Sequence, residues 1–452
     1  DSQKSANAPT FQNVSQYLYN EDHAERALHM LVHMDKLVAP NCDYFWVILN
    51  TCNKTKALNH AQKVHSCMIY YGVDLFTSLG EDLVAALIRC NGLKYALCVF
   101  QKLPHPTVFS WTSIIGGFIH SGENKEALRL YQHMQNNGVE PNKYTFVLLL
   151  KACASVGDLE KGKKLHDDVR QRGGIDSNTF VRSSLMTMYG NCGSLTDSEI
   201  VFYNGPVTSD TVLWSTMLSV YVEHGQGKKS IQLYRQMQEE AIVPDEQCLV
   251  IALQACCVLF QDMGVEGSLA CLQIGQAIHA EARRRGLLSN IFVGSTLISM
   301  YGKLGNIIGA ENVFVQLPKQ SIGPWNAMLS AYIELRLPGK ALCFYCHIRK
   351  NGFSPDKHTV AITLQACCIF MEIHEGIGNS AQIMCLEIGQ ALYLDCQMKG
   401  FISDAVICSS LMSLFSKCGS IIGAESIFYS FSGCDTVIWN MMLSTYSNDG
   451  QA

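Results

Sequence analysis

Apolar residues recur at helical spacing along most of the chain, in stripes that come in pairs. Within residues 108–142 the first stripe has the spacing i, i+3, i+4, i+7 of one helix face: Trp111, Ile114, Ile115 and Phe118. A His-Ser-Gly break at 120–122 ends it, and a second stripe follows: Ala127, Leu128, Tyr131 and Met134. Gly138 and Pro141 then close the segment. The pattern predicts a helical hairpin.

This hairpin returns at Trp214, Trp325 and Trp439, at intervals of 103, 111 and 114 residues. Each interval divides into three hairpins, which we predict at 8–41, 42–76, 77–107, 108–142, 143–178, 179–210, 211–245, 246–290, 291–321, 322–356, 357–404 and 405–435, with a truncated one from 436. A single hairpin cannot bury its apolar face alone, so neighbours must stack. We therefore predict an all-α solenoid.

The three kinds of hairpin carry different signatures. The middle one has Leu-x-Ala-Cys followed by Gly-x-x-x-His, as in Leu150–Cys153 with Gly162–His166. The third has Tyr-x-x-x-Gly, as in Tyr189–Gly193. The resulting triplets define our predicted divisions of one continuous solenoid: a degenerate triplet 1–107, triplets 108–210, 211–321 and 322–435, and a truncated repeat 436–452.

Composition narrows the function classes. With 48% hydrophobic and only 16% charged residues, the chain is too apolar to remain disordered. A net charge of −5 argues against a general nucleic-acid binder that relies on surplus Lys and Arg. Twenty cysteines in 452 residues indicate buried thiols in a reducing compartment. The longest apolar stretch, Cys248–Phe260, is interrupted by Gln254, so we expect no membrane span.

Together these signatures resemble the pentatricopeptide repeat family, specifically its plant-type PLS class, over nearly the whole chain. The first triplet matches least well, with Gln12, Trp46 and Glu81 at positions where better repeats carry other residue types. Tetratricopeptide repeats keep a constant length and a Trp-x-x-Leu-Gly-x-x-Tyr phrase, which this chain lacks. The resemblance implies a right-handed superhelical solenoid that binds single-stranded RNA at one base per repeat.

The resemblance also implies which residues read the bases. Position 5 of the first and third hairpins faces the base edge: Thr112, Ser183, Ser215, Ser295, Asn326, Ser409 and Asn440. The last residue of each hairpin completes the pair: Asn142, Asp210, Asp245, Ser321, Asp356 and Asp435. Position 2 packs on the base: Phe109, Phe180, Val212, Phe292, Val406 and Val437. Gly323 departs from this pattern at position 2.

The family's pairing preferences then predict a target. Thr112/Asn142 suggests A; three Ser/Asp pairs suggest G, namely Ser183/Asp210, Ser215/Asp245 and Ser409/Asp435; Asn326/Asp356 suggests U. Ser295/Ser321 is unusual and stays open. From 5′ to 3′ the predicted order is A, any, G, G, any, open, U, any, G.

A purely structural interpretation competes with base reading. Ser or Thr near a helix start is often a cap, and Asp or Asn after proline is ordinary turn chemistry. Position 5 of the middle hairpins, however, is apolar: Val147, Val250 and Ala361. Capping alone does not explain this alternation, which favours base reading.

Three motifs suggest other chemistry and are set aside by the repeat register. Cys343-Phe-Tyr-Cys346-His347 matches a haem-attachment motif but falls on ordinary second-helix positions. His279-Ala-Glu281 and His23-Ala-Glu25 match half of a zinc deaminase signature whose Cys-x-x-Cys half is missing. The basic runs Arg283–Arg285 and Lys161–Lys164 are expected on solvated helix faces, with some phosphate contacts. We expect no cofactor, no metal and no catalytic site.

Two middle hairpins, 246–290 and 357–404, are 9 and 12 residues longer than 143–178. We interpret the extra segments, near 261–270 and 372–382, as loop or helix extensions; a partner-protein docking site is the alternative.

We expect a specificity factor for RNA processing in mitochondria or chloroplasts, most specifically C-to-U editing. Its partners would be single-stranded organellar RNA and processing proteins, with no DNA and no membrane. Catalysis would come from a recruited enzyme or from a deaminase-type domain beyond residue 452. The alternative is a helical-repeat scaffold that binds proteins.

Overall fold

A computed structural model describes residues 42–72, 78–174, 176–204, 210–318, 321–374, 379–431, 433 and 435–448. The predicted hairpin 8–41, with Gln12 and His23–Glu25, lies outside the described residues. Within these ranges the chain forms 23 α-helices and three short 3₁₀ turns, and no strand. The prediction of an all-α fold of stacked hairpins is confirmed.

The chain divides into two compact units, 1–220 and 221–452, and the division falls inside one helix. The described helices of the first unit are α1 Cys42–Thr55, α2 Leu58–Tyr70, α3 Ser78–Arg89, α4 Leu93–Phe100, α5 Val108–His120, α6 Asn124–Asn136, α7 Lys143–Val156, α8 Leu159–Gln171, α9 Thr179–Asn191 and α10 Leu195–Tyr203. The boundary falls inside the next helix, α11 Thr211–Glu223.

The second unit continues with α12 Gly227–Glu239, α13 Glu246–Met263, α14 Ser268–Arg284, α15 Ile291–Lys303, α16 Ile307–Gln316, α17 Ile322–Glu334, α18 Pro338–Lys350, α19 Lys357–Ile373, α20 Asn379–Lys399, α21 Ala405–Lys417, α22 Ile421–Ser430 and α23 Thr436–Asn448. Each predicted hairpin from 42–76 to 405–435 contains two helices. The grouping of hairpins into triplets remains a prediction from the sequence period.

Successive first helices pack directly on one another in each unit, α1 to α9 in the first and α13 to α23 in the second. Away from the boundary helix α11, each second helix packs on its own partner and on the first helix of the next hairpin, as α6 does on α5 and α7. The odd-numbered helices therefore form one row in each unit, which we call the first-helix row. The predicted site residues lie on this row or at the turns that lead into it.

The periodic tryptophans pack against the end of the preceding helix, where one predicted triplet meets the next. Trp111 packs edge-on against Phe100 at the end of α4, with ring centroids 4.7 Å apart. The same contact recurs between Trp325 and Phe314 at 4.9 Å. Such edge-to-face pairs add stabilisation beyond their buried area. The tryptophan period of the sequence thus records a repeated packing contact.

Close packing along the first-helix row depends on small residues. A Cβ placed on Gly302 in α15 would lie 2.6 Å from the Cβ of Ala331 in α17 and 2.9 Å from its Cα. No side chain fits at that distance without moving one helix. The glycine that follows the tyrosine of the third hairpin therefore allows neighbouring first helices to touch.

The two long middle hairpins use their extra residues mainly to lengthen helices. Helix α13 has 18 residues and α14 has 17, whereas the shorter sister hairpin has 14 in α7 and 13 in α8. A short 3₁₀ turn, Gly264–Gly267, joins α13 to α14. This agrees with the helix-extension interpretation.

Helix α13 also corrects the expectation that no apolar stretch reaches membrane-spanning length. Its 18 residues have a mean hydropathy of 1.3, and by length and composition alone the helix could cross a bilayer. It packs against α12, α14 and α15, and Leu249, Ala252 and Leu253 on it are fully buried. In this structure it is the first helix of a repeat hairpin.

Candidate nucleic-acid interface

The last residue of each predicted reading pair is the N-cap of the helix that follows. Asp356 accepts a hydrogen bond from the Thr359 backbone N–H at 2.7 Å, and Asp245 from that of Cys248 at 2.8 Å. Equivalent caps are formed by Asn142, Asp210, Ser321 and Asp435. These residues are therefore helix N-caps, a role that the sequence suggests for the position 5 residues, and helix capping stabilises each joint.

The aspartates that cap helices can still accept further hydrogen bonds. Asp210, Asp245 and Asp435 each use the oxygen Oδ1 for the cap. Among the described residues, no hydrogen bond reaches the second oxygen of Asp210 or Asp435, whereas the Asp245 side chain also accepts from the Cys248 thiol. A carboxylate accepts through both oxygens, so each cap can hold its helix and still accept from another donor.

The serines at position 5 are not caps, because each is the fifth residue of its helix. Ser183, Ser215 and Ser409 donate to the carbonyl three residues earlier, at 3.1, 3.1 and 3.0 Å. Ser183 and Ser409 are half-buried, and Ser215 is buried. Their hydroxyl oxygens retain lone pairs that can accept from a ligand.

One predicted pair is in direct contact. The side-chain amide of Asn326 donates from Nδ2 to both oxygens of Asp356, each at 3.1 Å. The hydroxyl of Thr359 donates to Asn326 Oδ1 at 2.7 Å and lies 2.8 Å from Asp356 Oδ1. Position 5 of this hairpin and its last residue thus share one hydrogen-bonded cluster.

This cluster favours the ionised carboxylate. Burial alone would raise the pKa of Asp356, but the hydrogen bonds from Thr359 and Asn326 more than offset it and hold the pKa below its ordinary value. Asp356 is therefore a charged acceptor at neutral pH.

A second pair is linked through one intervening side chain. Thr112 Oγ1 lies 2.7 Å from Thr145 Oγ1, and Thr145 in turn lies 3.1 Å from Asn142 Oδ1. The backbone N–H groups of Tyr144 and Thr145 also donate to Asn142 Oδ1. The oxygen of Asn142 is therefore fully engaged, while its Nδ2 is free to donate among the described residues.

The bridging threonines were missed from the sequence. Thr145 and Thr359 are fully buried at the third residue of a middle-hairpin helix, next to position 5 of the preceding hairpin. A sequence signal existed, since Asn142 and Asp356 are each followed three residues later by threonine, a capping-box spacing. The corresponding residue after Asp245 is Cys248.

The unusual pair Ser295/Ser321 forms no direct bond. Ser295 Oγ is buried and has no hydrogen-bond partner among the described residues. A Cβ placed on Gly323 would lie 3.8 Å from both Ser295 Oγ and Ser321 Oγ. The two hydroxyls thus flank the space left open by this glycine.

The predicted base-packing side chains are exposed despite being apolar. Phe292 is 77% exposed, and the others are also open to solvent: Phe109, Phe180, Val212, Val406 and Val437. They occupy the second residue of first helices in the first and third kinds of hairpin, three residues before position 5. Solvent-exposed aromatic and aliphatic side chains in such an ordered row indicate a binding surface. Asn440 is also exposed, near the end of the described chain.

The remaining sequence motifs are explained by packing. His279 Nδ1 lies 2.8 Å from the Tyr301 hydroxyl, an arrangement repeated by His166 with Tyr189. Cys343 and Cys346 are exposed thiols on α18. In the described ranges no group of three or more His, Cys, Asp or Glu side chains is placed to hold a metal ion.

The basic runs are partly neutralised within the protein. Arg284 and Arg285 pair with Glu281. Lys161 pairs with Asp158 at 2.9 Å, and Lys163 lies 3.6 Å from Asp197. These cations are therefore partly committed to internal carboxylates, which reduces the positive charge they offer to phosphates.

The stacked hairpins define a helical-repeat protein with a row of polar pairs beside exposed apolar side chains. A family model described as "PPR repeat family" matches residues 106–155, 209–258 and 321–369, and one described as "PPR repeat" matches 144–174, 295–322 and 406–433. The chain carries pentatricopeptide repeats.

Curated relatives from Arabidopsis thaliana carry the same repeat name. The chloroplastic pentatricopeptide repeat-containing protein At4g18520 is 29% identical over 90% of this chain and 62% of its own length. At5g27110 is 30% identical over 86% and 52%, and the putative mitochondrial At3g25060 is 29% identical over 88% and 62%. The chain thus spans between about half and three fifths of the length of these relatives.

Two solved structures resemble the chain. One is the crystal structure of the pentatricopeptide repeat protein PPR10 with an 18-nt psaJ RNA element, at 18% identity and a TM-score of 0.46, covering 99% of this chain and 68% of that one. The other is PPR10 from maize, at 17% identity and a TM-score of 0.39, covering 98% and 77%.

Proposed function

We propose that this protein binds single-stranded RNA sequence-specifically, one base per repeat, along the first-helix row. The observation that carries the proposal is the direct contact between Asn326 and Asp356, two residues 30 positions apart that the sequence predicts to read one base together. Exposed position 2 side chains next to such pairs support it, because bases stack favourably on apolar and aromatic groups.

The free hydrogen-bonding groups agree with the predicted bases. The unused oxygens of Asp210 and Asp435 can accept from the N–H groups on the edge of guanine, and the Asp245 carboxylate retains further lone pairs for the same contact. Asn142 has its oxygen engaged and its amide N–H available, as an adenine ring nitrogen requires. These pairings support a target that reads A, any, G, G, any, open, U, any, G.

The low net charge of the protein determines how its RNA affinity should depend on salt. With a net charge of −5 and several basic side chains paired internally, few phosphates are neutralised. Affinity should therefore depend weakly on salt and strongly on sequence. Each well-made edge contact should discriminate by about 1–3 kcal/mol, the scale known for base reading in DNA.

The finer role we propose is selection of transcripts for RNA processing, most specifically C-to-U editing, by a PLS-class protein. The three-length hairpin cycle supports the subclass. The chloroplastic and mitochondrial names of the relatives support an organellar location. On this proposal the protein chooses the site, and a recruited or attached enzyme modifies the base.

Thermal unfolding with RNA tests RNA binding. A ligand of the native state raises Tm, and at equal concentration the tighter ligand raises it more. An RNA with the proposed target should raise Tm clearly, and an RNA of the same composition in scrambled order should raise it far less. Equal shifts with both RNAs would contradict sequence-specific binding.

A protein-binding scaffold is the second candidate. Apolar side chains point outward from the second helices of two third hairpins, with Ile308 and Val315 on α16 and Ile422 and Tyr429 on α22, all more than two thirds exposed. The same experiment separates the candidates, because a scaffold without RNA affinity predicts no Tm shift with either RNA.

A further inference from the structure

The degenerate first triplet contains a cleft that the repeat pattern does not predict. It lies among α1, α3 and α5 of the first unit and has a volume of about 190 Å³. We call it the N-terminal slot; its walls include Trp46, Asn50, Asn53, Asp82, Arg89 and Phe109. The slot is smaller than sites for drug-sized ligands, so it suits a single planar ring system.

Helical spacing explains how these side chains converge. Trp46, Asn50 and Asn53 are spaced i, i+4, i+7 and share one face of α1. Asp82 and Arg89 share one face of α3 with Ala85 between them. Ala85 also lines the slot, and its small side chain leaves room above the helix.

Two aromatic side chains line the slot and are partly exposed to solvent. Trp46 is 50% exposed and Phe109 is 47% exposed. In the sister middle hairpins the position of Trp46 is occupied by Val147, Val250 or Ala361. Trp46 therefore places a large, partly exposed aromatic surface at a position that is small and apolar in the sister hairpins.

Glu81 fixes the position of Phe109. Its carboxylate accepts from the Thr107 backbone N–H and hydroxyl, both at 2.9 Å, and from the Ser110 hydroxyl at 3.1 Å. The Thr107 hydroxyl in turn accepts from the Phe109 N–H at 3.2 Å. Glu81 thereby ties α3 to the start of α5 and holds Phe109 beside the slot.

The slot is also lined by polar groups that can form hydrogen bonds with the edge of a planar ring. Asp82 lines it, and burial, followed by the nearby charge of Glu81, raises the pKa of this carboxyl group. Asn53 Oδ1 is buried and meets no hydrogen-bond donor in the described part of the chain. Arg89, at the other end of the α3 face, is exposed and offers positive charge to a phosphate.

We propose that the N-terminal slot binds one unpaired nucleobase of the RNA, stacked against Trp46 and Phe109 with its edge towards Asp82. This inference rests on the proposed function. Because hairpin 77–107 precedes Thr112/Asn142 in the chain, the base is the one immediately 5′ of the predicted A. The slot thus gives the first triplet a stacking contact in place of pairwise base reading.

An abasic nucleotide tests the slot in the full chain. Two RNAs carry the proposed target with a short 5′ extension, and in one of them the nucleotide before the A lacks its base. The wild type should bind the abasic RNA about tenfold more weakly, since base–aromatic stacking contributes on that scale. Trp46→Leu should bind the intact RNA more weakly and reduce the difference between the two RNAs, because only Phe109 remains to stack on the base.

Trp439→Leu is the matched control, because Trp439 is also half-exposed (55%) but lies on α23. This variant should keep the tenfold difference between the two RNAs. Asp82→Asn should weaken binding of the intact RNA and leave binding of the abasic RNA unchanged. Comparison of Tm values confirms that each variant is folded.

The outcomes separate the two proposals. If the wild type binds the intact and abasic RNAs equally but still discriminates the proposed target from a scrambled one, the slot is overturned and the proposed function stands. If it binds the target and the scrambled RNA equally, the proposed function is wrong, and the slot proposal that rests on it is wrong as well.

Discussion

Hairpins 322–356 and 405–435 carry closely related pairs of proposed base-reading residues, and the two pairs differ in their hydrogen bonds. In the first, Asn326 and Asp356 hydrogen-bond to each other and Asn326 is only 6% exposed. In the second, Ser409 bonds to the Val406 carbonyl and Asp435 to the Val437 N–H, without a bond between the two side chains. A longer position 5 side chain reaches across to the cap, and a serine does not.

Because of this difference, the two pairs should affect the stability of the protein differently while having similar effects on base preference. The Asn326/Asp356 contact is part of the folded structure, so it contributes to stability before RNA binds. In the serine pairs the aspartate caps its helix, but no bond between the serine and the aspartate contributes to the fold. Substitutions at the two hairpins should therefore have similar consequences for RNA preference and different consequences for unfolding.

The largest expected effect comes from exchanging the position 5 residues. Asn326→Ser should change the preferred base at that repeat from U towards G, and Ser409→Asn should change G towards U. Each preference should shift by roughly 5- to 150-fold, equivalent to about 1–3 kcal/mol. Gel-shift titrations with the four bases at each position measure it. Unchanged preferences in both variants would refute the pair assignment.

Removing the position 5 side chain should lower the free energy of unfolding appreciably in hairpin 322–356 only. Asn326→Ala removes the amide that donates to both oxygens of Asp356 and the carbonyl oxygen that accepts from Thr359. Loss of these bonds in a half-buried cluster with a charged acceptor should cost about 1–3 kcal/mol. Ser409→Ala, the matched control, should change the free energy of unfolding by less than about 0.5 kcal/mol. Urea unfolding measures both, and equal losses would contradict the distinction between linked and independent pairs.

A smaller gain is expected at Gly323, where the base-packing side chain is missing. A Cβ there meets no atom closer than 3.8 Å, so Gly323→Val should fold normally. The added apolar contact should strengthen binding by on the order of 1 kcal/mol, or about fivefold. An RNA abasic at the base bound by hairpin 322–356 is the control and should show no gain.

The smallest effect concerns pH and the histidine–tyrosine contacts. Burial, followed by the nearby Arg170, lowers the pKa of His166 below its ordinary 6.5. As pH falls through 6.5 the unfolded chain takes up a proton that the folded protein does not, so stability declines below that pH. Urea unfolding at pH 7.5 and 5.5 should show this decline. His166→Gln should reduce it, and substitution of the exposed His347 should not.

Much of the fold could be predicted from the sequence because its determinants are local. The stripe from Trp111 to Phe118 specifies one helix face, and the repeated Trp–Phe contacts leave a visible period. Helix α13 was less predictable, since counting consecutive apolar residues treats Gln254 as an interruption, whereas on a helix an exposed glutamine occupies only one face.

The candidate site was predictable only in part. The types of residue at position 5 follow from the repeat register, but the bridging role of Thr145 and Thr359 requires knowing that two hairpins bring their helix starts together. The slot at Trp46 was equally hidden, because Trp46 and Phe109 are 63 residues apart in sequence and meet only through the stacking of α1, α3 and α5.

Titration of the full chain with two RNAs tests the central claim most directly. One RNA carries A, any, G, G, any, any, U, any, G, and the other replaces its three predicted G bases with C. Base-specific pairs predict that the second RNA binds at least tenfold more weakly, since each lost edge contact costs about 1–3 kcal/mol. Equal affinity for the two RNAs would contradict the account.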